Sequence, residues 1–301
     1  MTQEERIRRR VLRAIALNRT PGYHFPGNFI DLSFDRVASA DTRVSYQADE
    51  SDIGSLAVLA DFALGTAIRA DLDPATRLAT VSMTLELAAA PRAGTVSAAA
   101  RLHGFIGEGE ARIGRARVSI ENGGGEIGYG SGAFMVLKPP PGVELHPVPH
   151  RKRGDPEPPA LEARDLAPDE LLILRHAEAA LKQQEKPFMR HFWGFLPQAA
   201  PGGASCVMPN GPHVGNRVGY VQGGILFGLA AATATAALPE TWRLSLAAAA
   251  FISPGDGPAL RAQASVVHQG QRSAVIRTEV LRSDGRRVLE VMSTHVAGAK
   301  S

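Results

Sequence analysis

The sequence predicts an α+β fold built as two tandem units, each an antiparallel sheet wrapped around one central helix. Three observations predict it. Two stretches, residues 55–70 and 225–238, are apolar all round, as a helix buried on every side must be. Each is followed by the same succession of four strand-like runs joined by short turns. A proline-rich segment then separates the two copies. The expected divisions are residues 1–137, a linker at 138–168, and residues 169–301.

The N-terminus carries Arg6, Arg8, Arg9 and Arg10 ahead of a short apolar piece, residues 11–17. It has neither a long hydrophobic region nor a small-residue cleavage site, so it reads as a surface helix rather than a signal peptide. Asp52-Ile53-Gly54 opens the first apolar helix, which holds one acid, Asp61, in its middle. Strand-like runs follow at 80–87, 96–102, 111–120 and 129–137, with turns at Pro91-Arg92-Ala93-Gly94 and Asn122-Gly123-Gly124-Gly125. The linker is rich in proline and includes Pro140 and the basic run Arg151, Lys152, Arg153, which reads as solvated. A surface helix is expected over 169–184. The run from Asn216 to Gly224 then opens the second apolar helix. Its glycines bring a backbone N–H to a helix start, where partial positive charge accumulates and an oxyanion can be held. Four more runs, 244–252, 260–267, 273–281 and 288–296, complete the second copy. The apolar stretch 224–238 falls short of the ~20 residues that a membrane span needs.

Composition excludes several classes. The net charge is +3, the basic residues are scattered and aromatics are few, which argues against a nucleic-acid face. A lone cysteine, Cys206, excludes an internal disulfide and fits a reducing, cytoplasmic compartment. Residues 123–128 fit Gly-x-Gly-x-x-Gly but lie between two strand-like runs, so they read as a hairpin. No Gly-x-Ser-x-Gly surrounds a serine. The histidines show no metal-ligand spacing, His176 and His191 read as surface residues, and no metal or redox cofactor is expected.

Helix plus sheet, a Gly-Gly helix start, a mid-helix acid and a Pro-x-x-Gly before a long strand together resemble the hotdog-fold acyl-CoA thioesterases. The phenylacetyl-CoA and medium-chain types are the nearest look. Asn216, Gly219, Gly223 and Gly224 match the family's Asn-x-x-Gly-x-x-His-Gly-Gly, with Gln222 in place of the His. The acid that should follow is Ala231. In the first half the acid is present as Asp61 and the helix-start glycine as Gly54, while Tyr46 stands at the Asn position and Asp52-Ile53 at the His-Gly. The resemblance covers most of residues 41–137 and 211–297.

The resemblance implies two tandem hotdog domains forming a pseudo-dimer that hydrolyses an acyl-CoA thioester. Acid and helix-start glycine lie eight residues apart within one helix, about 12 Å, too far for both to touch one thioester. A site therefore needs two antiparallel helices. Asp61 facing Gly223 would be complete; Ala231 facing Ile53 would not, which implies one productive site per chain. Gly223 N–H would polarise the carbonyl. Asn216 would position the thioester or a water, and Gln222 would assist at the helix start. Asp61 would act as general base or nucleophile. Thr80, or Ser82 in another register, would orient the water. Arg272 could reach a CoA phosphate, or be a solvated turn arginine.

Structural readings compete with each role. Asp61 could pair with Arg69, Gly223-Gly224 could only permit close packing, Asn216 could be a turn residue and Gln222 a helix cap. A non-catalytic acyl-CoA-binding or regulatory protein is the alternative function. A hotdog dehydratase is weaker, since no His lies five residues after an Asp. A homodimer of the whole chain stays open.

Overall fold

The computed structural model describes residues 2–298 apart from 51, 75, 110–111, 140, 143 and 184–186. Residues 110–111, 140 and 184–186 include Ala111 of an expected strand, Pro140 of the linker and Gln184 of an expected helix, which therefore lie outside the described residues.

Among the described residues, twelve strands form one antiparallel sheet. In chain order they are β1 (Ser33–Arg36), β2 (Thr42–Ala48), β3 (Arg77–Leu87), β4 (Gly94–Ile106), β5 (Ile113–Asn122) and β6 (Gly125–Leu137), then β7 (Gln198–Ala200), β8 (Gly203–Pro209), β9 (Trp242–Phe251), β10 (Ala259–Gln269), β11 (Ser273–Arg282) and β12 (Arg287–Ala297). Their order across the sheet is β1-β2-β4-β5-β6-β3-β9-β12-β11-β10-β8-β7. Read inward from either end, the first six and the last six strands follow the same succession. The halves join where β3 pairs β9, with Ser82 opposite Ala250 and Glu86 opposite Leu246.

The eight expected strand-like runs correspond to β3–β6 and β9–β12. Alternating small and branched apolar residues specify them, as in β10, where Leu260, Ala262 and Ala264 are buried and Arg261, Gln263 and Ser265 exposed. The Gly-x-Gly-x-x-Gly run lies in the β5–β6 hairpin. Strands β1, β2, β7 and β8 were not expected. They are short or polar outside, and their only apolar signal is a half-pattern such as Val44, Tyr46 and Ala48 in β2.

Helices α2 (Ile53–Arg69) and α5 (Gly223–Ala236) are the two apolar stretches. The first packs on β2 to β6, the second on β8 to β12, and each packs on the other. Apolar side chains all round suit a helix with a sheet on one side and a helix on another. Helix α1 (Gln3–Asn18) starts in a capping box between Thr2 and Glu5 and buries Ile7, Val11, Leu12 and Ile15. Helix α3 (Pro168–Leu181) buries Ile173, Leu174, Ala177 and Ala180 and packs on α1. Helix α4 is the short turn Phe188–Phe192.

Two expectations are corrected. The proline-rich segment is docked at points rather than solvated throughout: Leu145 and Leu166 are buried, the Arg151 carbonyl accepts from Phe34 N at 2.8 Å, and Arg151 pairs with Asp31 at 3.4 Å, whereas Lys152 and Arg153 are exposed. Prolines lose little chain entropy on fixing, so a few interspersed apolar residues suffice to dock it. His176 and His191 are half-buried rather than on the surface, and a His176 ring nitrogen lies 2.8 Å from the Phe192 carbonyl.

Candidate active site

The site begins with how closely α2 and α5 approach. A Cβ on Gly224 would stand 2.6 Å from the Ala57 carbonyl and 2.7 Å from Val58 Cα. A Cβ on Gly228 would stand 2.8 Å from Gly54 Cα. Only glycine allows backbones this near. Position 61 meets 222–223, 57 meets 224 and 54 meets 228, so the helices run antiparallel.

This packing brings Asp61 to the start of α5. Asp61 is 7% exposed. Thr80 Oγ1 donates to Asp61 Oδ1 at 3.0 Å, and Gln222 Nε2 donates to Asp61 Oδ2. A register shift in the β3–β6 pairing between Thr80 and Ser82 accompanies this aim of Thr80. Burial pushes the Asp61 carboxyl up to about 7; the Thr80 hydroxyl and the Gly224 N–H pull it partly back. Arg69 does not pair with it. Its guanidinium donates instead to the Thr76 carbonyl at 2.6 Å.

The first turn of α5 has three donors that no helical carbonyl can meet. Ile225 N–H is capped by Gln222 Oε1 at 3.0 Å, and Gly224 N–H faces Asp61. Of these three, Gly223 N–H is the one with no partner among the described residues. A Cβ on Gly223 would stand 2.6 Å from Thr80 Oγ1 and 3.0 Å from Asp61 Oδ1. The unpaired donor therefore sits beside the acid. Gln222 is both a helix cap and a bridge to Asp61.

Asn216 heads a tight loop. Its Oδ1 accepts from Val218 N at 3.0 Å and Tyr220 N at 3.2 Å. The turn reading is correct for the oxygen, and the NH2 group is the end that can serve a ligand. Tyr46, set opposite Asn216 by counting back from the helix, lies inside β2. The first half runs from β2 to α2 directly and has no counterpart of the loop over 210–222.

Asp61, Thr80, Asn216, Gln222 and Gly223 all line one cavity of about 560 Å³. Apolar wall comes from Phe25, Phe62, Phe134, Val148, Leu226 and Phe251. Three arginines, Arg69, Arg77 and Arg217, also line it, and sequence reasoning did not place them there. Arg69 had a signal, since it lies eight residues after Asp61 on the same helical face. Arg272 is not brought to the site. It is in the β10–β11 turn, its carbonyl accepting from Ala297 N at the Trp242 end of β9, whereas the cavity is reached by the Phe251 end of β9. A ten-residue strand, about 33 Å, separates the two ends. Among the described residues, no group of three or more His, Cys, Asp or Glu is placed to hold a metal ion.

The opposite crossing of the helices is closed. Ala231 is fully buried there, and Asp52 Oδ1 and Oδ2 accept from Gly54 N and Ser55 N at 3.2 and 2.7 Å. Two of the three helix-start donors there, the counterparts of Gly224 and Ile225 N–H, are thus occupied by the chain's own carboxylate. Phe195 and Trp193, both fully buried, fill the space, and a Cβ on Gly54 would stand 2.6 Å from the Phe195 ring.

No protein-family model matches the sequence, and no curated protein matches it. Solved structures do. A Lactobacillus plantarum protein provisionally called an oleoyl thioesterase aligns over 87% of this chain and 98% of its own, at 10% identity and a TM-score of 0.53. The tesB protein of Mycobacterium avium subsp. paratuberculosis aligns over 88% and 95%, at 15% identity and a TM-score of 0.51. A hot dog fold protein of unknown function from Alicyclobacillus acidocaldarius aligns over 90% and 96%, at 11% identity and a TM-score of 0.50. The chain therefore has a hotdog-type fold. Among the described residues no helix is long and apolar enough to cross a membrane.

Proposed function

We propose that the chain is a tandem pair of hotdog domains that hydrolyses an acyl-CoA thioester at one composite site. The observation that carries this reading is the buried Asp61 carboxylate, held by Thr80 and Gln222 beside the unpaired Gly223 N–H in a large, mostly apolar cavity. Proteins named as thioesterases share the fold, which agrees with it.

In this reading the acyl chain lies against the apolar wall, and the thioester oxygen points at Gly223 N–H and the positive end of α5. Water held near Asp61 and Thr80 attacks the carbonyl carbon and gives its proton to Asp61. The C–S bond then breaks, and the departing thiolate recovers that proton. Both Asp61 oxygens are already tied by hydrogen bonds, which suits a group that takes a proton better than one that must turn onto a carbonyl carbon. The Asn216 NH2 group positions the thioester. The test is thiol release across an acyl-CoA panel. Binding without turnover would favour a regulatory acyl-CoA receptor; neither binding nor turnover would overturn both readings.

A base must be ionised to act. With the Asp61 carboxyl near 7, kcat/KM is expected to rise with pH through about 7 and level off above it. A profile flat from pH 5 to 9 would count against Asp61 as the base.

One site per chain is expected. Calorimetric titration with a non-hydrolysable acyl-CoA analogue should reach equivalence at one ligand per chain, because Asp52, Trp193 and Phe195 close the other crossing. Two equivalent sites would contradict this.

A further inference from the structure

The arginines of the cavity wall have no role in the chemistry described above. Arg69 Nη1 donates to the Thr76 carbonyl at 2.6 Å, and Arg217 Nη2 donates to the same oxygen at 3.0 Å. Arg217 Nη1 also donates to the His146 carbonyl of the docked proline-rich segment at 2.8 Å. Two guanidinium groups thus converge on one point. Among the described residues no carboxylate pairs with either. Burial and the charge of Arg217 push Arg69 down to about 9, and burial alone lowers Arg217. Like charges brought together without a counter-ion in a desolvated wall are costly. That cost is offset when an anion enters, and two guanidinium forks this close can share a single carboxylate.

The location narrows the ligand. Arg69 follows Asp61 by eight residues on α2, about 12 Å along the axis. Phe62, Gly65 and Thr66 line the cavity between them, with Phe25 and Val148 as further wall. An acid-bearing chain anchored at the arginines would cross apolar surface before it reached Asp61.

We infer that Arg69 and Arg217 form an anion-accepting subsite that selects acyl groups ending in a carboxylate. The preferred thioesters are then those of dicarboxylic acids, with the free carboxylate between the two guanidinium groups. This rests on the hydrolase reading for its location but not for its test.

The experiment compares kcat/KM for suberyl-CoA and octanoyl-CoA, and for the succinyl to sebacyl series against length-matched monoacids. Wild type should favour a carboxyacyl member at least tenfold over its monoacid. Arg69→Met and Arg217→Met should each lower the rate on that member at least tenfold and leave octanoyl-CoA within about twofold, as loss of one charge-assisted contact implies. Arg69→Lys should retain part of the preference. Either single variant leaves the Thr76 carbonyl one donor, so both should fold, which their melting temperatures check.

Equal losses on both acyl classes would overturn the inference. If those losses vanish with acyl-pantetheine thioesters, the arginines serve the nucleotide phosphates instead. Calorimetry with free suberate and octanoate separates this inference from the hydrolase reading. Suberate binding that weakens at least tenfold in Arg69→Met supports the subsite even if no thioester is turned over. Suberate binding no tighter than octanoate sinks it even if hydrolysis proceeds.

Discussion

Replacing Asp61 by Asn is expected to lower thioester hydrolysis by at least ~10²-fold, the usual loss when a general base is removed. Asn fits the same space and can still meet Thr80 and Gln222, so folding should survive. Binding of an acyl-CoA analogue should change little, because the carbonyl donor is on α5. Turnover and affinity measured on one preparation decide the matter; unchanged turnover removes Asp61 from the mechanism.

The same variant is expected to be more stable than wild type at neutral and alkaline pH. The folded carboxyl is raised from its ordinary 3.8 to about 7. Below the lower value it is protonated in both states, and the native state carries no charge penalty. As pH rises toward about 7, the unfolded chain releases the proton and the folded chain keeps it, so stability falls. Above the upper value the penalty is constant and on the order of a few kcal/mol. The amide of the variant does not ionise and carries no such penalty. The stability difference between variant and wild type should therefore grow between pH 4 and pH 8. A difference that stays constant over that range would show that Asp61 is not desolvated as described.

Gly223→Val is expected to cost activity as much as Asp61→Asn, by about 10²-fold or more, since the oxyanion donor and the base are disturbed together. A side chain there would push on Thr80 Oγ1 and Asp61 Oδ1, which are side-chain ends that can move. Melting temperature should fall little. Gly224→Ala should behave in the opposite way. Its methyl would meet the Ala57 carbonyl and Val58 Cα, fixed backbone of α2, and overpacking of that kind costs about 1–3 kcal/mol. A Gly223→Val enzyme of full activity would show that the assigned N–H does not hold the oxyanion.

The sequence by itself determined the two buried helices and eight strands, and it raised the proposal of two half-sites. Helices 53–69 and 223–236 are built almost wholly of apolar residues, and an acid in one with a Gly-Gly start in the other is what suggested a shared site. It also raised both readings of Gln222, cap and active-site residue. The tertiary structure decided the rest. That Asp61 meets Gln222 and Gly223, and not Arg69, depends on contacts across 161 residues of chain, and no local pattern encodes them. Thr80 rather than Ser82 depends on a register shift, because a slip of one residue turns side chains to the other face. Phe195 and Trp193 fill the second crossing from the segment before β7, which the chain brings to the start of α2 from far along the sequence. The arginines of the cavity wall read as ordinary scattered charge until α2, the loop over 210–222 and the proline-rich segment are packed together. Charge becomes informative only when burial removes water from it, and burial is a property of the packed chain.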